Sequence, residues 1–136
     1  MDPIVVGFDG SPAAERALER AATLCGEGGR VVIVTATVSL PSTSIVDEPV
    51  AGGPSPAERD ALLDGAATRL RARGIDPVLV AADAAPTEAL VEAARAHDAA
   101  LIVVGSTGSN YATRVILGST AEQIVRQAPC DVLVVR

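Results

Sequence analysis

The sequence has no lysine and almost no aromatic residues. All 11 basic residues are arginines, and the aromatic side chains are one phenylalanine, Phe8, and one tyrosine, Tyr111. Without lysine the chain has neither a Schiff-base nucleophile nor a phosphate-binding loop that ends in Gly-Lys-Ser/Thr. The scarcity of aromatic rings argues against a flavin carrier, and it leaves alanine, valine, leucine and isoleucine to build the core.

Positive charge is also scarce. The formal net charge is −6, which argues against nucleic-acid binding, because that affinity comes from clustered lysine and arginine. The chain opens without the basic and apolar segments of a signal peptide, and no apolar run reaches the roughly 18 residues of a transmembrane helix. Its two cysteines, Cys25 and Cys130, lack metal-site spacing. We therefore expect a cytoplasmic protein that contacts neither nucleic acid nor membrane.

Apolar β-branched runs alternate with helix-start signals along the chain. The runs predict strands at residues 4–8, 31–38, 77–82, 101–104 and 132–135. Helix-start signals predict four helices, at residues 12–25, 56–73, 86–97 and 119–128. The first two begin at serine–proline pairs, the third at a proline and the fourth at a Ser-Thr-Ala-Glu capping box. Residues 39–54 are rich in Pro, Ser and Gly and have no periodicity, so they are either a solvated insertion or a lid.

The order of these elements predicts the fold class. We expect one domain over residues 1–136, an α/β protein with three α/β/α layers around a five-stranded parallel sheet of Rossmann-like topology. Continuous apolar strands are typical of parallel sheets that are buried on both faces. Ligands of such sheets bind beyond the carboxyl ends of the strands, where the strand order reverses.

A glycine-rich segment follows the fourth predicted strand and is the strongest candidate site. Glycines let phosphate oxygens approach main-chain N–H groups, and the helix N-terminus that follows favours anions. The side chains that we expect to contact phosphate there are Ser109, Arg114, Ser119 and Thr120. The alternative is structural, since loop glycines also serve turns and Ser119 also suits a helix cap.

Taken whole, the chain resembles the universal stress protein family. Its ATP-binding members carry Gly-x2-Gly-x9-Gly-Ser/Thr after the fourth strand, and here that pattern is Gly105, Gly108, Gly118 and Ser119 with every spacing kept. The resemblance also covers the opening IVVGFDGSPAAERAL and the closing CDVLVVR. It implies the adenine nucleotide alpha hydrolase-like form of the Rossmann-like fold. It also implies an adenine-nucleotide-binding module for ATP, ADP, AMP or cyclic AMP.

The resemblance also implies individual roles. Asp9 corresponds to the acidic residue that contacts the ribose or adenine end of the nucleotide, and we assign Gly10 and Ser11 to the same site. Asp9 also suits an Asx-type turn. Val38 matches the position whose backbone meets adenine, although it is also a plausible core valine. Magnesium, if present, would arrive with the nucleotide, and no protein residue is assigned as a metal ligand.

The chain departs from the family pattern in one respect that bears on function. Ser106 and Thr107 stand where many relatives carry a basic residue or histidine, so Arg114 is the one basic side chain in the loop. The resemblance implies a homodimer through the C-terminal strand and a stress-response sensor or regulator that acts through nucleotide-dependent conformation or dimerisation. The alternatives are a weak ATPase and a family member that acts only through protein contacts.

Overall fold

Strands and helices alternate throughout the parts of the chain that the structure, a computed structural model, describes, which are residues 2–37, 55–107 and 117–136. In chain order the elements are β1 (Ile4–Gly7), α1 (Pro12–Cys25), β2 (Val31–Thr37), α2 (Pro56–Arg71), β3 (Val78–Asp83), α3 (Pro86–Ala96), β4 (Leu101–Gly105), α4 (Ser119–Gln127) and β5 (Asp131–Val135). Every strand and helix that the sequence predicts is therefore present within the described residues.

The five strands form one parallel sheet in the order β3-β2-β1-β4-β5. The chain builds outward from β1 through β2 to β3, then crosses to the other side of β1 for β4 and β5. The strand order thus reverses between β1 and β4. This confirms the predicted fold class and places the expected ligand edge where these two central strands end.

Two apolar clusters lie on opposite faces of the sheet. Alternating strand residues divide between them, so that Val6 and Ile33 pack with α1 and α2, whereas Val5 and Val34 pack with α3 and α4. All four of these side chains are buried. Because most core residues are small aliphatic side chains, helices and sheet lie close together, as the near absence of aromatics requires.

Two of the predicted helix caps are confirmed. The Ser11 hydroxyl accepts from the Ala14 N–H at 3.1 Å, and the Ser55 hydroxyl accepts from the Glu58 N–H at 3.2 Å. In each helix proline occupies the first turn, where its missing N–H costs nothing.

The predicted cap of α4 is wrong by one residue. Gly118 is the N-cap, Ser119 is already helical, and no side chain caps the helix start. The Ser-Thr-Ala-Glu pattern is typical of a capping box, but the glycine before it takes the extended cap conformation. As a result the first N–H groups of α4 have no side-chain acceptor.

Helix α2 ends two residues before the predicted boundary. The Ile75 N–H donates to the Leu70 carbonyl at 3.0 Å, and Gly74 has φ +78°. A left-handed glycine after the last turn is a common way to satisfy the final carbonyls of a helix. The glycine signal was thus correct and the boundary was not.

No helix among the described residues is long and apolar enough to cross a membrane.

The caps can be tested by stability. We expect Ser55→Ala to lower the free energy of unfolding by about 1 kcal/mol, because it removes an N-cap acceptor. Ser119→Ala should change it by less than about 0.5 kcal/mol, since Ser119 caps nothing. Urea unfolding of both variants measures the difference. Equal losses would contradict the assignment of Gly118 as the N-cap.

Candidate functional site

A cleft of about 230 Å³ opens at the carboxyl ends of β1 and β4, where the strand order reverses. Its apolar lining residues are Gly7, Phe8, Ala14, Val34, Ala36, Pro86, Leu90, Val104 and Ala121. Its polar and glycine lining residues are Asp9, Ser11, Gly105, Thr107, Gly118, Ser119 and Thr120. The cleft therefore has an apolar wall and a polar rim, which is the usual composition of a small-molecule site.

The turn after β1 carries the one charged side chain in the described lining, Asp9. Its Oδ1 accepts from the Ser11 N–H at 2.9 Å, which is the Asx-type turn that the sequence allowed. The Thr35 hydroxyl on β2 donates to the Phe8 carbonyl at 2.7 Å. The position of the Asp9 carboxylate is thus set by its own turn and by the neighbouring strand.

Backbone hydrogen bonds place the start of α4 beside the end of β4. The Ser106 N–H donates to the Val135 carbonyl at 2.7 Å, and the Gly118 N–H donates to the Ser106 carbonyl at 2.6 Å. The Gly118 N–H is therefore committed within the protein. The donors that α4 presents at the cleft are those of its first turn, where Ser119 and Thr120 also lie in the lining.

Gly105 is required for packing. A Cβ at this position would lie 2.8 Å from the Ala13 carbonyl carbon and 2.8 Å from the Ala13 Cβ. The end of β4 thus lies directly against the first turn of α1, with no room for a side chain. Its backbone φ is not left-handed, so Gly105 serves close approach between elements and not a left-handed turn.

The apolar wall was not predicted from the sequence. Leu90 on α3 is buried and lies against β1 at Gly7, where an added Cβ would come within 3.3 Å of its Cδ2. Val34 and Ala36 line the cleft from β2. These side chains look like ordinary core residues in the sequence, and only the packing of α3 over the sheet brings them to the cleft.

A partly buried hydrogen bond joins α3 to α4 beside the cleft. The Thr87 hydroxyl on α3 donates to Gln123 Oε1 on α4 at 2.9 Å, and Thr87 is buried. Helix α3, like α4, begins without a side-chain cap. The cleft is therefore flanked by two helix N-termini, each of which favours negative charge.

The structure brings together part of the set of site residues that the sequence suggested. Asp9, Ser11, Gly105, Gly118, Ser119 and Thr120 all line the cleft. Gly10 is not in the lining, and its backbone instead lies against Leu62 of α2. Val38, Gly108, Ser109 and Arg114 lie outside the described residues. The ligand-binding roles of all these residues stay predictions.

Neither cysteine belongs to the cleft. Both are free, with Cys25 buried on α1 and Cys130 partly buried before β5. Burial raises the pKa of the Cys25 thiol, and burial together with the Asp131 carboxylate raises the pKa of Cys130. A raised pKa disfavours the reactive thiolate. Among the described residues no group of three or more His, Cys, Asp or Glu is placed to hold a metal.

Taken together, the fold and the cleft define a doubly wound α/β protein with a ligand site at the strand-order reversal. The family model for the universal stress proteins matches residues 1–136, and the chain belongs to that family. A Staphylococcus aureus (strain USA300) protein assigned to the universal stress proteins is 31% identical over 137 residues. The match covers 98% of this chain and 82% of that protein.

Solved structures show the same architecture. A universal stress protein in complex with cAMP has a TM-score of 0.75 and 31% identity, with 99% of this chain and 97% of that chain covered. The universal stress protein from Archaeoglobus fulgidus in complex with dAMP has a TM-score of 0.70 and 27% identity. The match covers 100% of this chain and 98% of that chain. Both relatives are named as complexes with adenine nucleotides.

The packing role of Gly105 can be tested apart from any ligand. We expect Gly105→Ala to lower the free energy of unfolding by about 1–3 kcal/mol, because the added methyl group overlaps the α1 backbone. The matched control is Gly65→Ala on α2, where an added Cβ meets nothing within 4 Å. There alanine should stabilise the helix by up to about 1 kcal/mol. A Gly105→Ala protein as stable as the wild type in urea would refute the close approach.

Proposed function

We propose that this protein binds an adenine nucleotide in the cleft at the ends of β1 and β4, and that the bound nucleotide regulates its conformation or assembly. The observation that carries the proposal is the uncapped start of α4, which faces a cleft with an apolar wall. The start of a helix favours phosphate, and an apolar wall favours a nucleotide base. The two nucleotide-bound relatives support the choice of adenine.

The proposed arrangement assigns each part of the ligand to a part of the lining. The phosphates lie at the first turn of α4, where Ser119 and Thr120 add hydroxyl donors to the main-chain N–H groups. Asp9 faces the ribose or adenine end. Gly108 and Val38 complete the site by resemblance to the family, which implies that Gly108 lies at the phosphates and Val38 at adenine. Ser109 and Arg114 are assigned to phosphate because they supply a hydroxyl donor and the one basic side chain of the loop. ATP, ADP, AMP and cyclic AMP all fit this description, and Mg²⁺ enters only with the nucleotide.

A binding role fits the cleft better than catalysis does. Phosphoryl transfer needs metal ligands, neutralising cations and a positioned nucleophile. The described lining supplies one carboxylate, Asp9, and no cation, and the chain has no lysine. One alternative function is slow ATP hydrolysis. Another is a role that depends on protein contacts alone, without a bound nucleotide. We favour a stress-response sensor in the cytoplasm, although its location stays a prediction.

Titration calorimetry with ATP, AMP and cyclic AMP tests the proposed site. We expect Gly118→Val to weaken binding by about tenfold or more, because bulk at the cap of α4 displaces the phosphate. Gly118 has φ −61°, so valine fits the backbone conformation. The control is Gly65→Val, where there is open space. Mass spectrometry of ligand released from fresh wild-type protein identifies the nucleotide.

Three results would count against this function. Unchanged affinity in a folded Gly118→Val protein would remove the loop from the site. Failure of the wild type to bind any of the three nucleotides would remove the function itself. Multiple turnover of ATP with Mg²⁺ that is lost in Asp9→Ala would replace a binding module with an enzyme.

We propose in addition that the protein is a homodimer through β5. Among the described strands β5 lies at one edge of the sheet and pairs only with β4. Its residues Val132, Leu133 and Val134 are partly exposed. An unpaired apolar edge needs cover. The opposite edge strand, β3, offers a control, because Val78 on it is also exposed.

The dimer predicts a difference between the two edges. We expect sedimentation velocity to give the wild type twice the 13.7 kDa chain mass. Val134→Lys on β5 should shift it to the monomer, because a charge on the edge opposes pairing. Val78→Lys on β3 should leave the dimer intact. A monomeric wild type, or dissociation by Val78→Lys alone, would overturn the assignment of β5.

A further inference from the structure

Helix α2 contributes no residue to the described lining of the cleft, yet it contacts the turn that carries Asp9. A Cβ on Gly10 would lie 2.6 Å from Leu62 Cδ2, so this methyl group lies directly against the Gly10 backbone. Gly10 has φ +80°, a conformation that other residues rarely adopt. The turn is thus shaped by glycine and filled from outside by a leucine of α2.

The Asp9 turn is held by hydrogen bonds and contacted by Leu62. On its inner side the turn is held by the hydrogen bonds from Ser11 N–H to Asp9 Oδ1 and from the Thr35 hydroxyl to the Phe8 carbonyl. On the α2 side the contact is Leu62, which packs partly buried against the core cluster of α1 and α2. Removal of this side chain would leave a gap beside Gly10, a residue with no side chain of its own.

The start of α2 is fixed to the sheet by an arginine. Arg59 Nη1 donates to Thr37 Oγ1 at 2.8 Å and to Asp83 Oδ1 at 2.9 Å. These partners end β2 and β3, at the same edge of the sheet as the cleft. The adjacent Ala36 lines the cleft. Arg59 therefore aligns the helix that carries Leu62 with the strand end that borders the site.

The Arg59 contacts are poor candidates for a purely stabilising role. The side chain is 13% exposed. Its buried Nε lies 3.8 Å from Asp60 Oδ1, which is within ion-pair range, but it has no hydrogen-bond partner among the described residues. A buried N–H without a partner is costly. Its carboxylate partner, Asp83, is 70% exposed, and exposed ion pairs contribute little. The geometry serves alignment of α2, β2 and β3 better than it serves stability.

We infer that Leu62 and Arg59 are positioning residues for the nucleotide site, acting through the Asp9–Gly10 turn and the end of β2. The inference rests on the proposed function. It states that helix α2, although outside the cleft, sets the affinity for the nucleotide. Displacement of a ligand contact by a fraction of an ångström is enough to change binding, and residues that touch no ligand commonly modulate affinity in this way.

The test compares affinity with stability on one helix. We expect Leu62→Ala to weaken ATP and cyclic AMP binding about tenfold by calorimetry. Leu70→Ala on the same helix removes a side chain that is fully buried and should cost more stability in urea, yet change affinity less than about twofold. Leu62→Met, which refills the space, should restore binding. If Leu62 had only a structural role, the variant that loses more stability, Leu70→Ala, would also lose more affinity for the nucleotide.

A double-mutant cycle tests the route through Asp9. In an Asp9→Asn background, Leu62→Ala should weaken binding by less than about twofold, because the contact that it positions is already lost. Full additivity of the two losses would overturn the inference. If Leu62→Ala does not fold, Leu62→Val takes its place in the cycle.

The role of Arg59 is tested by comparing the nucleotide affinity of a neutral replacement with that of a charged one. Arg59→Gln should weaken binding several-fold and Arg59→Lys should recover most of it, because one cationic nitrogen makes both contacts. The control is Arg71→Gln, which breaks an exposed pair with Asp76 at the far end of α2. Wild-type affinity in Leu62→Ala and Arg59→Gln overturns this inference alone, whereas no binding by the wild type overturns the proposed function with it.

Discussion

The contact between the end of β4 and the first turn of α1 determines the shape of the site. Gly105 lies so close to Ala13 that position 105 cannot carry a side chain without displacement of the neighbouring backbone. This approach brings the ends of β1 and β4 and the start of α1 to one edge. Ser106 then joins β5 to the start of α4 through its N–H and carbonyl. The cleft lies where these elements meet, and residues of β2, α3 and α4 complete its lining.

The cleft combines an apolar wall with partial positive charge that comes from helix ends. Among the described lining residues the one formal charge is the Asp9 carboxylate, so the positive potential within that lining comes from the first turns of α3 and α4. Such a site needs little side-chain charge, which is consistent with a protein that has no lysine and a net charge of −6. Affinity in such a site depends on geometry, and this gives weight to the packing of α2 behind the Asp9 turn.

Local signals in the sequence account for most of the fold. The serine–proline pairs at Ser11 and Ser55 start helices as expected, and Gly74 ends α2. Each of these signals acts within a few residues through hydrogen bonds and backbone conformation, so the sequence contains the whole interaction. The error at Ser119 has the same origin. Serine and glycine both suit a helix cap, and the choice between them depends on the hydrogen bond from Gly118 to Ser106, which joins separate elements.

The sequence by itself determined the element order, the parallel sheet and the family, because periodicity, capping and the spaced glycines are all local in the chain. It also selected several cleft residues, among them Asp9 and Thr120. Only the tertiary structure decided that Gly105 serves packing, that Leu90 and Val34 form an apolar wall, and that Leu62 and Arg59 hold the Asp9 turn and the end of β2. Those roles depend on contacts between residues 20 to 100 positions apart, and no local pattern encodes which apolar or charged side chain will meet which backbone.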